Sequence, residues 1–373
     1  MIHLEHSEEH VEIAALARSL ADELVAPTAR DAEGAGTVTE SVWRKLFETG
    51  LTMPVAEQYG GGGVPEPLSM LTVAENFAHG DPGIALAALW HAYAAILIGD
   101  HGTEEQKREH LPRLATDPAV RAAVALYEGF GRGPSELTTT IDVDGDQVLV
   151  RGRKVGVPFA ATAELIVVVG TDTATGAVRA VLLPSGTAGV TADAFPGTLA
   201  LDVTQLGAVD LDLTLSSTHL LGGADADATA LLATVQRLRL ITASAALGSA
   251  LRAVRYAGEY ATGRVAFGKP IAAYQGVSFP LAEALMRIEA SRAELVDVTN
   301  ALVQEPGGDH EASVAQAVSY ALSVATQSTR DAVQTLGGHG FIKDHPVELW
   351  YRSATTLSAL DFDPLRAPFQ ARL

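Results

Sequence analysis

Two polar stretches carry side chains suited to a phosphate-bearing ligand. The first, Arg264-Val-Ala-Phe-Gly-Lys-Pro-Ile-Ala-Ala-Tyr-Gln275, breaks two long apolar runs. Arg264 offers a forked guanidinium that matches phosphate oxygens. Gln275 can give and accept hydrogen bonds where the next helix begins. Gly268 and Pro270 punctuate the turn. An ordinary helical-hairpin loop would use the same punctuation, so both readings stand at this point. The second stretch, Gln334-Thr-Leu-Gly-Gly-His-Gly-Phe341, holds three glycines that let a backbone approach a ligand or take positive φ. They follow a helical run, whereas a Rossmann fingerprint demands a preceding strand. A helix C-cap is the alternative.

The elements around these stretches are legible as helices. Leu231 to Ala261 is a run of small and aliphatic residues. Downstream, Leu281, Leu285, Ile288, Leu295 and Val298 recur at helical spacings and mark one buried face.

Taken jointly, R-x-x-F-G-x-P-I-x-x-x-Q and Q-x-x-G-G-x-G-F, about 60 residues apart and followed by Pro346-Val347-Glu348 and Arg352, resemble the acyl-CoA dehydrogenase family. The resemblance takes in the helical start, the segment Gly102 to Pro112, the strand-rich middle and the helical C-terminal third. It implies an α+β architecture: an N-terminal helical domain over residues 1–119, a middle β-barrel or sandwich over 120–223, and a C-terminal four-helix bundle over 224–373. It also implies that Arg264, Phe267, Gln275, Gln334, Gly337, Gly338 and Gly340 hold the ADP half of an FAD seated mainly in a neighbouring subunit. The implied substrate is an acyl-CoA or acyl-carrier thioester, the acceptor is an electron-transfer flavoprotein-like protein, and the assembly is a homo- or hetero-oligomer, a dimer of dimers.

Family members remove an α-proton with a carboxylate while a β-hydride leaves for the flavin. That needs a base within reach of the α-carbon, donors for the enolate oxygen, and a flat flavin beside the Cα–Cβ bond. The family pattern places a Glu nine residues after the Arg matched by Arg352, and here that position is Asp361. Its side chain is one methylene shorter, a retreat of roughly 1.5 Å, and a misplacement of about 1 Å can cost on the order of a hundredfold in rate. A turn residue beside Asp363 and Pro364 is the other reading of Asp361. The second family location for a catalytic Glu falls on Leu238. The flavin-seating segments depart further: Leu126-Tyr-Glu-Gly-Phe130, Gly133-Pro-Ser-Glu136 and Lys154-Val-Gly-Val-Pro158 retain Glu128 but put Gly156 where the family has a tryptophan. Tyr127 or Phe159 could substitute for that indole. The resemblance therefore leaves three functions open: an FAD-dependent dehydrogenase using Asp361, a degenerate subunit completing the FAD site of a homologous chain, and a flavin oxidase or monooxygenase.

Composition narrows the classes. The 373 residues are 47% hydrophobic with a mean hydropathy of +0.18, enough for two or three domains with real cores. With 45 acidic against 26 basic residues the net charge is −19, which repels nucleic acid and anionic membranes. Single arginines such as Arg239 and Arg264 then matter, although Arg239 could also lie on a helix surface. There is no cysteine, the 11 histidines form no ligand motif, and no metal is expected. The acidic start lacks the pattern of a signal peptide, and a cytoplasmic protein is expected.

In chain order, helices are expected over Glu8 to about Ala26, closed off near Pro27, then Glu40 to Thr49, Pro67 to His79, Ile84 to Gly99 and Glu104 to Ala115, the last capped by Thr103. Gly60 to Gly63 reads as a flexible connection. Strands are expected at Val148 to Val150, Leu165 to Val169, Val178 to Leu183 and Val209 to Leu215, with hairpin turns at Asp144-Gly145 and Thr175-Gly176. Helices return near Ala224 and continue to about Leu336. No membrane span is expected, on the reading that charge interrupts every apolar run.

Overall fold

The computed structural model describes residues 8–129, 131–133, 136–363 and 366. Readings that touch Met1 to Ser7, Phe130, Pro134, Ser135 or Pro364 lie outside them. Helix α1 (Glu8–Leu20) does not end near Pro27. It passes through a π-helical turn at Ala21–Val25 into α2 (Ala26–Ala35). Pro27 stands directly after the π-helical turn, where its missing N–H interrupts the hydrogen-bond ladder of a helix that nevertheless continues.

Helices α3 (Glu40–Glu48), α4 (Pro67–Gly80), α5 (Pro82–His101) and α6 (Glu104–Thr116) follow. The α6 start is a full capping box: Gln106 N donates to the Thr103 hydroxyl, and Thr103 N donates to the Gln106 side chain. Helix α5 carries no Asp, Glu, Lys or Arg from Pro82 to Gly99. By length and composition α5 and a later helix, α7 (Ala228–Gly263), could each cross a membrane, contrary to the expectation that charge interrupts every such run. However, 94% and 72% of their apolar windows lie inside the fold, so both are core helices here.

The middle of the chain is one seven-stranded sheet in the order β1-β4-β2-β3-β7-β6, with β5 paired to β4. Its strands are β1 (Ala122–Ala125), β2 (Thr140–Asp144), β3 (Gln147–Val157), β4 (Leu165–Thr171), β5 (Val178–Pro184), β6 (Val190–Ala194) and β7 (Gly207–Ser216). The turns at Asp144-Gly145 and Thr175-Gly176 join antiparallel neighbours as expected. Short β1, an Ala-Val run buried throughout, has no alternation to announce it. The β3–β7 ladder shifts register between Val155 and Val157, where Gly156 takes φ +64.

Helix α7 (Ala228–Gly263) starts on Asp227, whose carboxylate accepts from Thr229 N and Ala230 N. It is the central rod, packed against α4, α5, α8 (Gln275–Gln304), α9 (Glu311–Leu336) and α10 (Val347–Leu360). Between α7 and α8 a small hairpin pairs β8 (Val265–Ala266) with β9 (Lys269–Pro270). Helix α4 lies so close to α7 that a Cβ on Gly248 would stand 1.9 Å from the Glu75 carbonyl oxygen. Gly248→Ala should therefore force the helices apart and cost about 1–3 kcal/mol, read as a lowered chemical-denaturation midpoint. An unchanged midpoint would mean that the two helices are not held at this spacing.

Candidate functional site

The end of α7, the β8–β9 hairpin and the end of α9 enclose an open cleft of about 570 Å³. Its walls include Tyr260, Arg264, Ile271, Gln334, Gly337, Gly338 and His339. Arg264 follows the last residue of α7, and its backbone N–H donates to the Tyr260 carbonyl. Its side chain is exposed and has no partner among the described residues. Gly337 ends α9 at φ 59 and ψ −132, a conformation open essentially to glycine alone. The cleft thus offers a guanidinium, an amide and glycine backbone on one open surface, which is what a pyrophosphate requires.

Of the seven residues expected at the ADP end, Arg264, Gln334, Gly337 and Gly338 line this cleft. Phe267 and Gln275 stand outside it, both exposed. Phe267 occupies the hairpin tip at φ 52, next to Gly268 at φ 82, and is 96% exposed. A bulky residue in left-handed conformation with its ring in solvent has no role within its own chain. Gly340 departs from the expectation: it is buried, and a Cβ there would meet the Val333 carbonyl oxygen at 2.4 Å, so its glycine serves the packing of the turn on α9. Tyr260 and His339, joined by a 2.8 Å hydrogen bond, line the cleft although neither was singled out in the sequence.

The second region lies where α10 ends over the sheet. Arg239, expected as a ligand contact or a helix-surface residue, is neither: it is 2% exposed. Its Nε and Nη2 donate to Asp361 Oδ1 at 2.9 Å and Oδ2 at 2.7 Å, and Nη1 donates to Gln236 at 2.6 Å. Burial alone pulls the Arg239 guanidinium down, and Asp361 more than reverses this, so its pKa lies above the ordinary arginine value. The Phe362 ring lies 5.1 Å from the Arg239 guanidinium and 5.1 Å from the Tyr127 ring. Burial, with Asp361 nearby, raises the Tyr127 hydroxyl well above its usual value.

At the tryptophan position the chain has Gly156 with the tip of a leucine beside it. Leu360 Cδ2 stands 2.6 Å from where a Cβ on Gly156 would lie. Phe159 does not take the indole's place, because it packs edge-on against Trp43 at 6.1 Å. Behind this wall Lys154 donates to Glu128 at 2.8 Å and to the Leu126 carbonyl at 3.0 Å. Burial draws Lys154 down to about 8, while Lys154 and the Thr138 donors outweigh burial and hold Glu128 down to about 2. Glu128, the one flavin-segment residue retained, is thus a structural anion. The residues present suit the ADP end of a flavin, whereas at the ring end Gly156 supplies no flanking indole.

Helices, a mid-chain sheet and a helical bundle headed by an open basic cleft define the class. The chain belongs to the acyl-CoA dehydrogenase family: its N-terminal-domain model matches residues 7–118 and its C-terminal-domain model residues 228–361. An acyl-CoA dehydrogenase of Bacillus subtilis (strain 168) is 28% identical over 353 residues, 93% of each chain. Butyryl-CoA dehydrogenase from Megasphaera elsdenii superposes with a TM-score of 0.82 at 26% identity, covering 97% of this chain and 96% of that one. A glutaryl-CoA dehydrogenase from Mycobacterium smegmatis in complex with FADH2 shares the fold, with a TM-score of 0.84 at 20% identity over 97% of this chain and 92% of that one.

Asp361→Asn should strand a buried guanidinium and destabilise the fold by about 3–5 kcal/mol, read by denaturant unfolding. An unperturbed fold would show that the pair is dispensable. Glu128 sits at about 2 in the fold against an ordinary 4.5, so its stabilisation is complete above 4.5 and is lost as pH falls towards 2. Glu128→Gln should accordingly flatten the acid limb of the stability curve, measured as Tm between pH 5 and 2.

Proposed function

We propose that this chain is the cofactor-completing subunit of a mixed acyl-CoA dehydrogenase-type assembly. It lends Arg264, Gln334, Gly337 and Gly338 to the ADP end of an FAD whose ring is seated in a homologous chain. Phe267 and Gln275 reach across the boundary to the same neighbour. FAD, when bound there, supplies the hydride acceptor for dehydrogenation of an acyl-CoA or acyl-carrier thioester, and an electron-transfer flavoprotein-like protein takes up the electrons. The assembly is a dimer of dimers in the cytoplasm.

One observation carries this reading: Arg239 occupies both oxygens of Asp361. A base at this position would have to give up one of two charge-assisted bonds to reach a substrate proton. Breaking one half of such a buried pair costs about 3–5 kcal/mol, or roughly two to four powers of ten in rate. Gly156 supports the same reading, because it offers no indole to flank a flavin ring. The exposed Arg264 and Phe267 support the other half of it, since Arg264 has no partner among the described residues and the Phe267 ring lies in solvent.

The test is to assemble the chain with a homologue that has Trp and Glu at the positions of Gly156 and Asp361. Arg264→Ala should lower flavin occupancy at least tenfold without dissociating the assembly. The homologue's Glu, changed to Gln, should abolish acyl-CoA oxidation. Loss of turnover from Asp361→Asn in an assembly that stays folded and flavin-loaded would instead make this chain the dehydrogenase.

A further inference from the structure

One turn and more before the Arg264 cleft, Arg18 of α1, Asp22 of the π-helical turn, His79 at the end of α4, and Arg252, Arg255, Tyr256 and Glu259 of α7 enclose a cavity of about 440 Å³. Three guanidiniums around one cavity run against a chain of net charge −19. Their own partners satisfy them only in part. Arg18 donates to Asn76 Oδ1 at 3.1 and 3.0 Å, Arg252 reaches Asp22 at 3.4 Å, and exposed Arg255 has no partner among the described residues.

The floor of the cavity is more informative. His79 is 3% exposed, and neither of its ring nitrogens has a hydrogen-bond partner among the described residues. The nearest carboxylate oxygen, Asp22 Oδ1, is 3.7 Å from Nδ1, beyond hydrogen-bond range. Buried polar groups left unpaired are rare and call for an explanation. Burial first, then Arg18, Arg252 and Arg255, push the imidazole down to about 3, so it is neutral and keeps one N–H to donate. The acidic groups facing it are Asp22 and Glu259 at the rim. Glu75, on the same helix, is already held by Arg292 at 2.6 and 2.8 Å.

We propose that this cavity is a binding site for a phosphoryl group, held by Arg18, Arg252 and Arg255 with the His79 N–H as the buried donor. A phosphoryl dianion has three terminal oxygens and the charge to satisfy several guanidiniums, whereas a single carboxylate has two oxygens and one charge. The cavity is larger than a bare phosphate, so the group can be inorganic phosphate or the phosphate end of an ester. The site is separate from the FAD cleft: the two share no lining residue, and Arg255 lies two turns before the end of α7 whereas Arg264 lies just beyond it. The inference does not rest on the function proposed above.

The test uses the purified chain carrying Arg264→Ala, which disables the other cleft. Inorganic phosphate and a nucleoside monophosphate are titrated separately by calorimetry, and the His79 ring is followed by nitrogen-detected NMR. Saturable binding of either probe that shifts the His79 ring signals, and that weakens at least tenfold on adding Arg255→Ala, supports the site. Which probe binds more tightly identifies the source of the phosphoryl group. Arg255 is exposed, so its replacement leaves the fold in place, and a Tm within error of the parent confirms this. Absence of saturation with both probes, affinity unchanged in Arg255→Ala, an unmoved His79 signal, or equal affinity for acetate would each overturn the proposal.

Discussion

The bidentate pair between Arg239 and Asp361 is the constraint on which the reading of this molecule depends. It ties the middle of the central helix α7 to the residue that ends α10, across 122 positions of sequence. A buried charge pair of this kind adds little stability relative to an apolar core, yet breaking one half is costly, so each residue fixes the other. Phe362 and Tyr127 pack over the pair, and the tip of Leu360 lies beside Gly156. The pair and these contacts together hold the end of α10 where it meets Tyr127 and Gly156.

Two arginines on the same helix thus have opposite fates. Arg239 is enclosed among aliphatic residues and must find its counter-charge inside the chain. Arg264, one residue beyond the helix end, is exposed beside Gln334 and two glycines, with no partner among the described residues. Desolvation decides the difference: only the exposed guanidinium can exchange water for a ligand phosphate without first losing an internal partner. The same logic separates Gly337, which faces the cleft in a conformation few residues can adopt, from Gly340, which faces the last turn of its own helix.

Much of the fold was legible because its signals are local. Thr103 and Gln106 announce a helix start within four residues, and the periodic leucines of α8 mark its buried face. The turn at Asp144-Gly145 carries its own chemistry. Pro27 misled because a proline directly after a π-helical turn, inside a helix that continues, looks in sequence like one that ends a helix. Strand β1, a four-residue Ala-Val run, has too little pattern to read. The ligand cleft was largely visible, since Arg264, Gln334, Gly337 and Gly338 belong to two compact motifs. The state of Asp361 was not, because it depends on Arg239, whose only hint was a cation set between Leu238 and Leu240, where a buried charge implies a distant partner.

The central claim is that the chain completes a flavin site for a neighbour and has no ring seat of its own. Native mass measurement with flavin counting tests it most directly. One FAD per two unlike chains in the mixed assembly, with the chain alone free of stoichiometric flavin, is the predicted result. One FAD per chain in an assembly of identical chains would contradict it.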